Sequence, residues 1–71
     1  KSVSATPPEQ LSAREKDILR MVASGFTSTE IAARLNISHM TVNTHIRNTY
    51  RKLQVRSRAQ AVQSAMVRGL I

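Results

Sequence analysis

Cysteine is missing from all 71 residues, which excludes disulfides, thiolate catalysis and cysteine-ligated zinc and is compatible with a reducing cytosol. Trp is also absent, and Tyr50 and Phe26 are the only aromatics. The stacking platform that single-strand binders and many RNA binders rely on is therefore lacking. No segment has the layout of a signal peptide, and no apolar run approaches the ~20 residues that span a bilayer, so a soluble, cytoplasmic chain is expected. Acidic groups are missing from the second half. Lys1 to Glu30 carries four basic and four acidic side chains, whereas Ile31 to Ile71 carries seven basic and none acidic, so the net charge of +7 resides there. Five of those cations, Arg47, Arg51, Lys52, Arg56 and Arg58, fall within twelve residues. That is the electrostatic footprint of a polyanion partner, against the plainer reading of a solvated face.

A chain this short is at most one small domain with little surface to bury. It does not begin with Met, and its opening KSVSATPPEQ is a polar, proline-containing stretch. The expectation is a linker or disordered lead over 1–10, following an upstream regulatory domain, and a folded unit over 11–71.

Helix-start signals divide that unit. Ser12 and Glu15 have the spacing of a capping box, Ile18, Leu19, Val22 and Ala23 recur at helical spacing, and Gly25 can end the segment, predicting a helix over Ala13 to Ser24. Thr27 and Glu30 repeat the pattern before Ile31, Ala32 and Leu35, with Asn36 able to take a left-handed turn, so a second helix covers about Ser28 to Leu35. Ser38 is the next cap, and His39 to Leu53 holds neither Gly nor Pro, giving a long third helix. Ser57 and Gln60 form another capping-box pair opening a fourth, with Val62, Ala65 and Met66 on one side and Gly69 near its end. With short connections, no strand alternation and no repeat, the fold expected is all-α, four helices with a central helix-turn-helix.

The third helix has two faces. Val42, Ile46, Thr49 and Leu53 fall together as a core stripe, with His45 and Tyr50 at its margins. Met40, Thr44, Arg47 and Arg51 point the other way with Asn43 beside them. A guanidinium fits guanine O6 and N7, an Asn amide fits adenine N6 and N7, and Thr or Met methyls can touch a thymine methyl, so this is the composition of a base-reading face. The second helix, joined by the Asn36-Ile37-Ser38 turn, is expected to cross the backbone while the third enters the major groove of duplex DNA.

These residues, LSAREKDIL, ASGFTSTEIAARLNIS, TVNTHIRNTYRKL, SRAQAV and the terminal GLI, taken in order, resemble the LuxR-type helix-turn-helix domain, also called FixJ- or NarL-type, from Leu11 to the end. The resemblance implies the C-terminal DNA-binding domain of a bacterial transcriptional regulator. Such a domain usually acts as a dimer, under an N-terminal receiver or ligand-binding domain. It further implies base reading at Asn43, Thr44 and Arg47, and a dimer contact on the fourth helix, where Gln60, Gln63, Ser64 and Val67 form the face away from the core. Relatives commonly carry Asn-Lys at Ser28-Thr29 and Lys at Asn43. Phosphate contacts then fall to the Thr27 and Thr29 hydroxyls and to amides at the helix start, where the dipole favours an anion.

Further phosphate contacts are assigned to Ser38, Thr41, Asn48, Arg51, Lys52, Arg56 and Arg58. Arg58 has a rival role, pairing internally with Glu15 or Glu30, because a cation near a helix start opposes the macrodipole. His45 reads as a structural imidazole, and His39 stands alone. No metal-ligand spacing, Ser-His-acid set, phosphate loop or paired carboxylate occurs, so no cofactor and no enzyme activity are expected. The competing function is a protein-docking module whose basic face meets RNA polymerase or the regulatory domain. A membrane-surface helix is disfavoured, because the apolar stripe of the third helix is needed as core.

Overall fold

Each helix begins where a hydroxyl side chain can take up a backbone amide. The computed structural model describes residues 11–69, in which α1 (Ala13–Ala23), α2 (Ser28–Leu35), α3 (His39–Leu53) and α4 (Arg58–Val67) follow one another without a strand among the described residues. The expected lead over 1–10 and the terminal Leu70 and Ile71 lie outside them. At α1, Ser12 Oγ accepts from the Glu15 amide at 3.1 Å while Glu15 Oε1 accepts from the Ser12 amide at 2.9 Å. Thr27 and Glu30 make the same reciprocal pair at α2, at 3.1 and 2.8 Å. Ser38 Oγ accepts from the Thr41 amide at 3.0 Å to open α3.

The box expected at α4 is half formed. Ser57 Oγ accepts from the Gln60 amide at 3.2 Å, but Gln60 Oε1 reaches past Ser57 and accepts from the Arg56 amide at 2.8 Å. Ser57 takes a φ of −138° where Ser12 and Thr27 take −70° and −76°, which turns its own N–H away from the Gln60 side chain.

Three helix ends close alike, through a left-handed residue whose successor donates to the carbonyl five residues back. Gly25 (φ 98°), Asn36 (φ 56°) and Gln54 (φ 58°) are the left-handed residues. The bonds are Phe26 to Met21, Ile37 to Ala32 and Val55 to Tyr50, at 3.1, 3.1 and 3.0 Å. This closure satisfies carbonyls a helix end otherwise leaves bare. It also bends the chain sharply between α2 and α3 within three residues.

The core has two lobes that share α1 and α3. Ile18 and Val22 meet Ile31, Ala32 and Val42, with Phe26, Leu35, Ile37, Ile46 and Val62 packed around them. Leu11 and Leu19 meet Leu53, Ala61 and Ala65, with Tyr50 and Val55 at the edge. The predicted α3 stripe of Val42, Ile46, Thr49 and Leu53 faces inward, and the buried Thr49 hydroxyl donates to the His45 carbonyl at 2.7 Å, satisfying itself within the helix. The α4 stripe is corrected: Ala61 and Ala65 are fully buried, Val62 is half-buried, and Met66 stays 64% exposed. Two alanines one turn apart let α4 approach α1 closely, and that approach carries Met66 around to the outside.

Candidate nucleic-acid interface

Packing the inner stripe of α3 against α1 and α2 forces its opposite stripe outward. Met40 (78% exposed), Asn43, Thr44, Arg47 and Arg51 all lie on the surface, and among the described residues neither arginine forms an ion pair. The geometry therefore gathers the predicted reading residues on one face, with two guanidinium groups one helical turn apart. Thr44 is partly committed, since its hydroxyl donates to the Met40 carbonyl at 3.0 Å. Asn48 sits half-buried at the margin, and Arg56 is exposed beyond the helix end.

The starts of α2 and α3 are tied together. Ser28 Oγ and His39 Nε2 lie 2.9 Å apart. The caps occupy the amides of Thr27, Glu30 and Thr41, leaving those of Ser28 and Thr29 on α2 and of His39 and Met40 on α3 for an outside acceptor. The Ser28–His39 link brings these two sets side by side, and the hydroxyls of Ser38 and Thr41, 2.8 Å apart, flank them. Thr29 is exposed beside them. Two helix starts facing one region make it attractive to an anion, opposed by Glu30 among the described residues. The Thr27 backbone and hydroxyl hydrogen bonds hold the Glu30 carboxyl below the usual glutamate range, so it stays charged.

Two of the five clustered cations are engaged by partners within the domain instead. Lys52 Nζ donates to Glu15 Oε1 at 2.7 Å, the same oxygen that caps the Ser12 amide, and the Glu15 side chain is only 6% exposed. Burial pushes the Glu15 carboxyl up, but the hydrogen bond from Lys52, the Ser12 amide and the Lys52 charge outweigh it and leave it below its ordinary value. Arg58 donates through Nε and Nη2 to the Val22 carbonyl at 3.2 and 2.8 Å, and through Nη2 to the Phe26 carbonyl at 2.9 Å. The internal role anticipated for Arg58 thus has backbone carbonyls at the end of α1 as its partners, not Glu15 or Glu30. A guanidinium at a helix C-terminus is favourable, which offsets its position at the start of α4.

Sequence spacing missed two contacts. Arg34 lies over the Phe26 ring with its guanidinium carbon 4.1 Å from the centroid, joining the last turn of α2 to the loop before it, and Ser28 meets His39 across the α2–α3 turn, whose course periodicity does not reveal. On α4, Gln60, Gln63 and Val67 (81% exposed) face outward, while Ser64 is half-buried and accepts from Arg68 Nε at 3.1 Å. Among the described residues no cluster of potential metal ligands occurs, and no helix is long and apolar enough to cross a membrane.

Comparison with known proteins accords with this arrangement. Residues 9–65 match the family described as bacterial regulatory proteins, luxR family. The chain is 50% identical over 56 residues to the probable transcriptional regulatory protein SgaR of Hyphomicrobium methylovorum, covering 79% of this chain and 26% of that protein. Its fold superposes on the response regulator ChrA of a heme-sensing two-component system with a TM-score of 0.83 and 39% identity, over 100% of this chain and 33% of ChrA. Vibrio cholera VqmA, solved as a complex with ligand and DNA, gives a TM-score of 0.80 at 30% identity, over 99% of this chain and 31% of that one. The chain spans about a third or less of the length of each of these proteins.

Proposed function

Because this chain belongs to the luxR family of bacterial regulatory proteins and is a helix-turn-helix domain of a transcriptional regulator, we propose that it binds double-stranded DNA sequence-specifically by laying α3 in the major groove. The observation that carries this is the outward stripe of α3, where an apolar side chain, an amide, a threonine and two unpaired guanidinium groups share one exposed face. Asn43, Thr44 and Arg47 meet base edges, with Met40 at the leading end.

Phosphates flank that helix. Thr27 and Thr29 with the free amides at the start of α2, Ser38 and Thr41 at the start of α3, and Asn48, Arg51 and Arg56 along and beyond it grip the backbone and set register. Lys52 and Arg58 contribute charge from behind, held by Glu15 and by the end of α1. Two copies pair through the outer face of α4, Gln60, Gln63, Ser64 and Val67, on inverted half-sites about one helical turn apart. An upstream regulatory domain controls this pairing, and the assembled regulator acts in the cytoplasm and contacts RNA polymerase.

Selection against randomised duplex, followed by titration of recovered and scrambled sites at two salt concentrations, tests this. An enriched inverted repeat, bound with a log–log salt slope of about −0.9 per neutralised phosphate, is expected. Salt-sensitive binding with no enriched sequence would instead mean a general DNA binder or a domain that pairs only under its regulatory domain, and would strengthen the alternative of a basic face that docks an acidic protein surface.

A further inference from the structure

Met40 is 78% exposed at the second position of α3. A thioether contributes nothing to that helix start that a polar residue could not, and there it faces water in the isolated domain. Among the described residues, the other large apolar side chains so exposed are Met66 and Val67, at the far end of α4. Thr44 follows one turn later on the same face, and its hydroxyl donates to the Met40 carbonyl at 3.0 Å. With that proton used, Thr44 offers a base edge only acceptor lone pairs and its methyl. The outward stripe of α3 therefore begins with an apolar side chain, and the donors, Asn43 and Arg47, lie beside and behind it.

The floor of the major groove carries one methyl group, the 5-methyl of thymine, which stands out from the bare C–H edges and from the donors and acceptors of the other bases. We infer that Met40, backed by Thr44, makes this domain prefer thymine, through its 5-methyl, at the base pair facing the start of α3. The inference rests on α3 lying in the major groove. Leading residues of a groove helix are those that reach base edges, so a side chain at this position faces bases and not only the sugar-phosphate rim. Met is also unbranched and polarizable, able to seat a methyl from several angles.

The test deletes the methyl alone. On a duplex recovered by selection, each thymine is replaced in turn by deoxyuridine, which leaves every hydrogen-bonding edge intact, and wild type and Met40→Ala are titrated on the series. One thymine per half-site is expected to lower wild-type affinity about fourfold on replacement, the equivalent of one buried methyl carbon. Met40→Ala should bind the thymine duplex as weakly as wild type binds the deoxyuridine one, and should not distinguish the two. Because the side chain is exposed, its thermal midpoint should match wild type. A selected site indifferent to every replacement, or an equal loss in Met40→Ala, overturns the role of Met40 while leaving groove binding intact. Failure to enrich any site overturns the α3 reading, and this inference with it.

Discussion

Arg47 and Arg58 carry the same group into different surroundings. The Arg47 guanidinium projects from the exposed face of α3, so Arg47→Ala should leave the thermal midpoint unchanged and cost about 1–3 kcal/mol on a selected duplex, the range for one bidentate base contact. An equal loss on scrambled duplex would mean that it grips phosphate alone. The Arg58 guanidinium is a clamp. It joins the start of α4 to the Val22 and Phe26 carbonyls across the α1–α2 turn, and Arg58→Ala takes the guanidinium donor from the Phe26 carbonyl and leaves the Val22 carbonyl with the Gly25 amide, 3.1 Å away. A stability loss of about 1–3 kcal/mol in urea denaturation is expected, with Arg58→Lys recovering only part because an ammonium lacks the fork. A wild-type urea midpoint in Arg58→Ala would refute the clamp.

At the level of elements, the caps and helical periodicity carried most of the information. Bounds predicted from Thr27, Asn36 and Ser38 coincide with those of α2 and α3 because capping is local chemistry, decided within four residues. Gln54 is the exception. It holds a left-handed φ of 58° with no sequence signal, imposed by the packing of Val55 against the lobe formed by Leu53 and Ala61. A residue with a Cβ pays a conformational cost there. Gln54→Gly should therefore raise stability by about 0.5–1 kcal/mol after its own entropy loss, measured as a higher urea midpoint; a lower midpoint would mean the Gln side chain contributes contacts that outweigh the strain. The α4 stripe was misjudged for a related reason. Val62, Ala65 and Met66 share a helical face by spacing, but which arc of that helix turns inward depends on how closely α1 can approach, and the small Ala61 and Ala65 decide it.

For the whole molecule, stability depends on pH through Glu15 and Glu30. Both carboxyls titrate below their ordinary value of 4.5 in the folded state. The unfolded chain therefore binds protons first as pH falls, and the stability these groups contribute is complete above 4.5 and lost as pH drops through the folded values. Urea midpoints taken from neutral to strongly acid pH should fall across that window, and Glu15→Gln should flatten the fall; an unchanged profile in the variant would locate the effect elsewhere. Charge also sets the salt response. Arg47, Arg51 and Arg56 are exposed, while Lys52 is held by Glu15. Replacing Arg51 or Arg56 by Ala should reduce the magnitude of the DNA salt slope by about 0.9, whereas Lys52→Met should change it little. A full unit lost with Lys52→Met would show that the lysine leaves Glu15 to meet a phosphate.

By itself the sequence determined the four helices, the hydroxyl residues that cap their starts, the all-α class, the two faces of α3 and the one-sided charge, because each depends on residues within a turn or two of one another. Tertiary structure decided which cations are available. Arg47, Arg51, Lys52, Arg56 and Arg58 are indistinguishable as a run of positive charge, and only the approach of α3 and α4 to α1 commits Lys52 to Glu15, 37 residues away, and Arg58 to Val22, 36 residues away. It likewise joined Ser28 to His39 across the α2–α3 turn. Periodicity assigns a side chain to a face, but its partner on another helix is set by the packing of the whole domain.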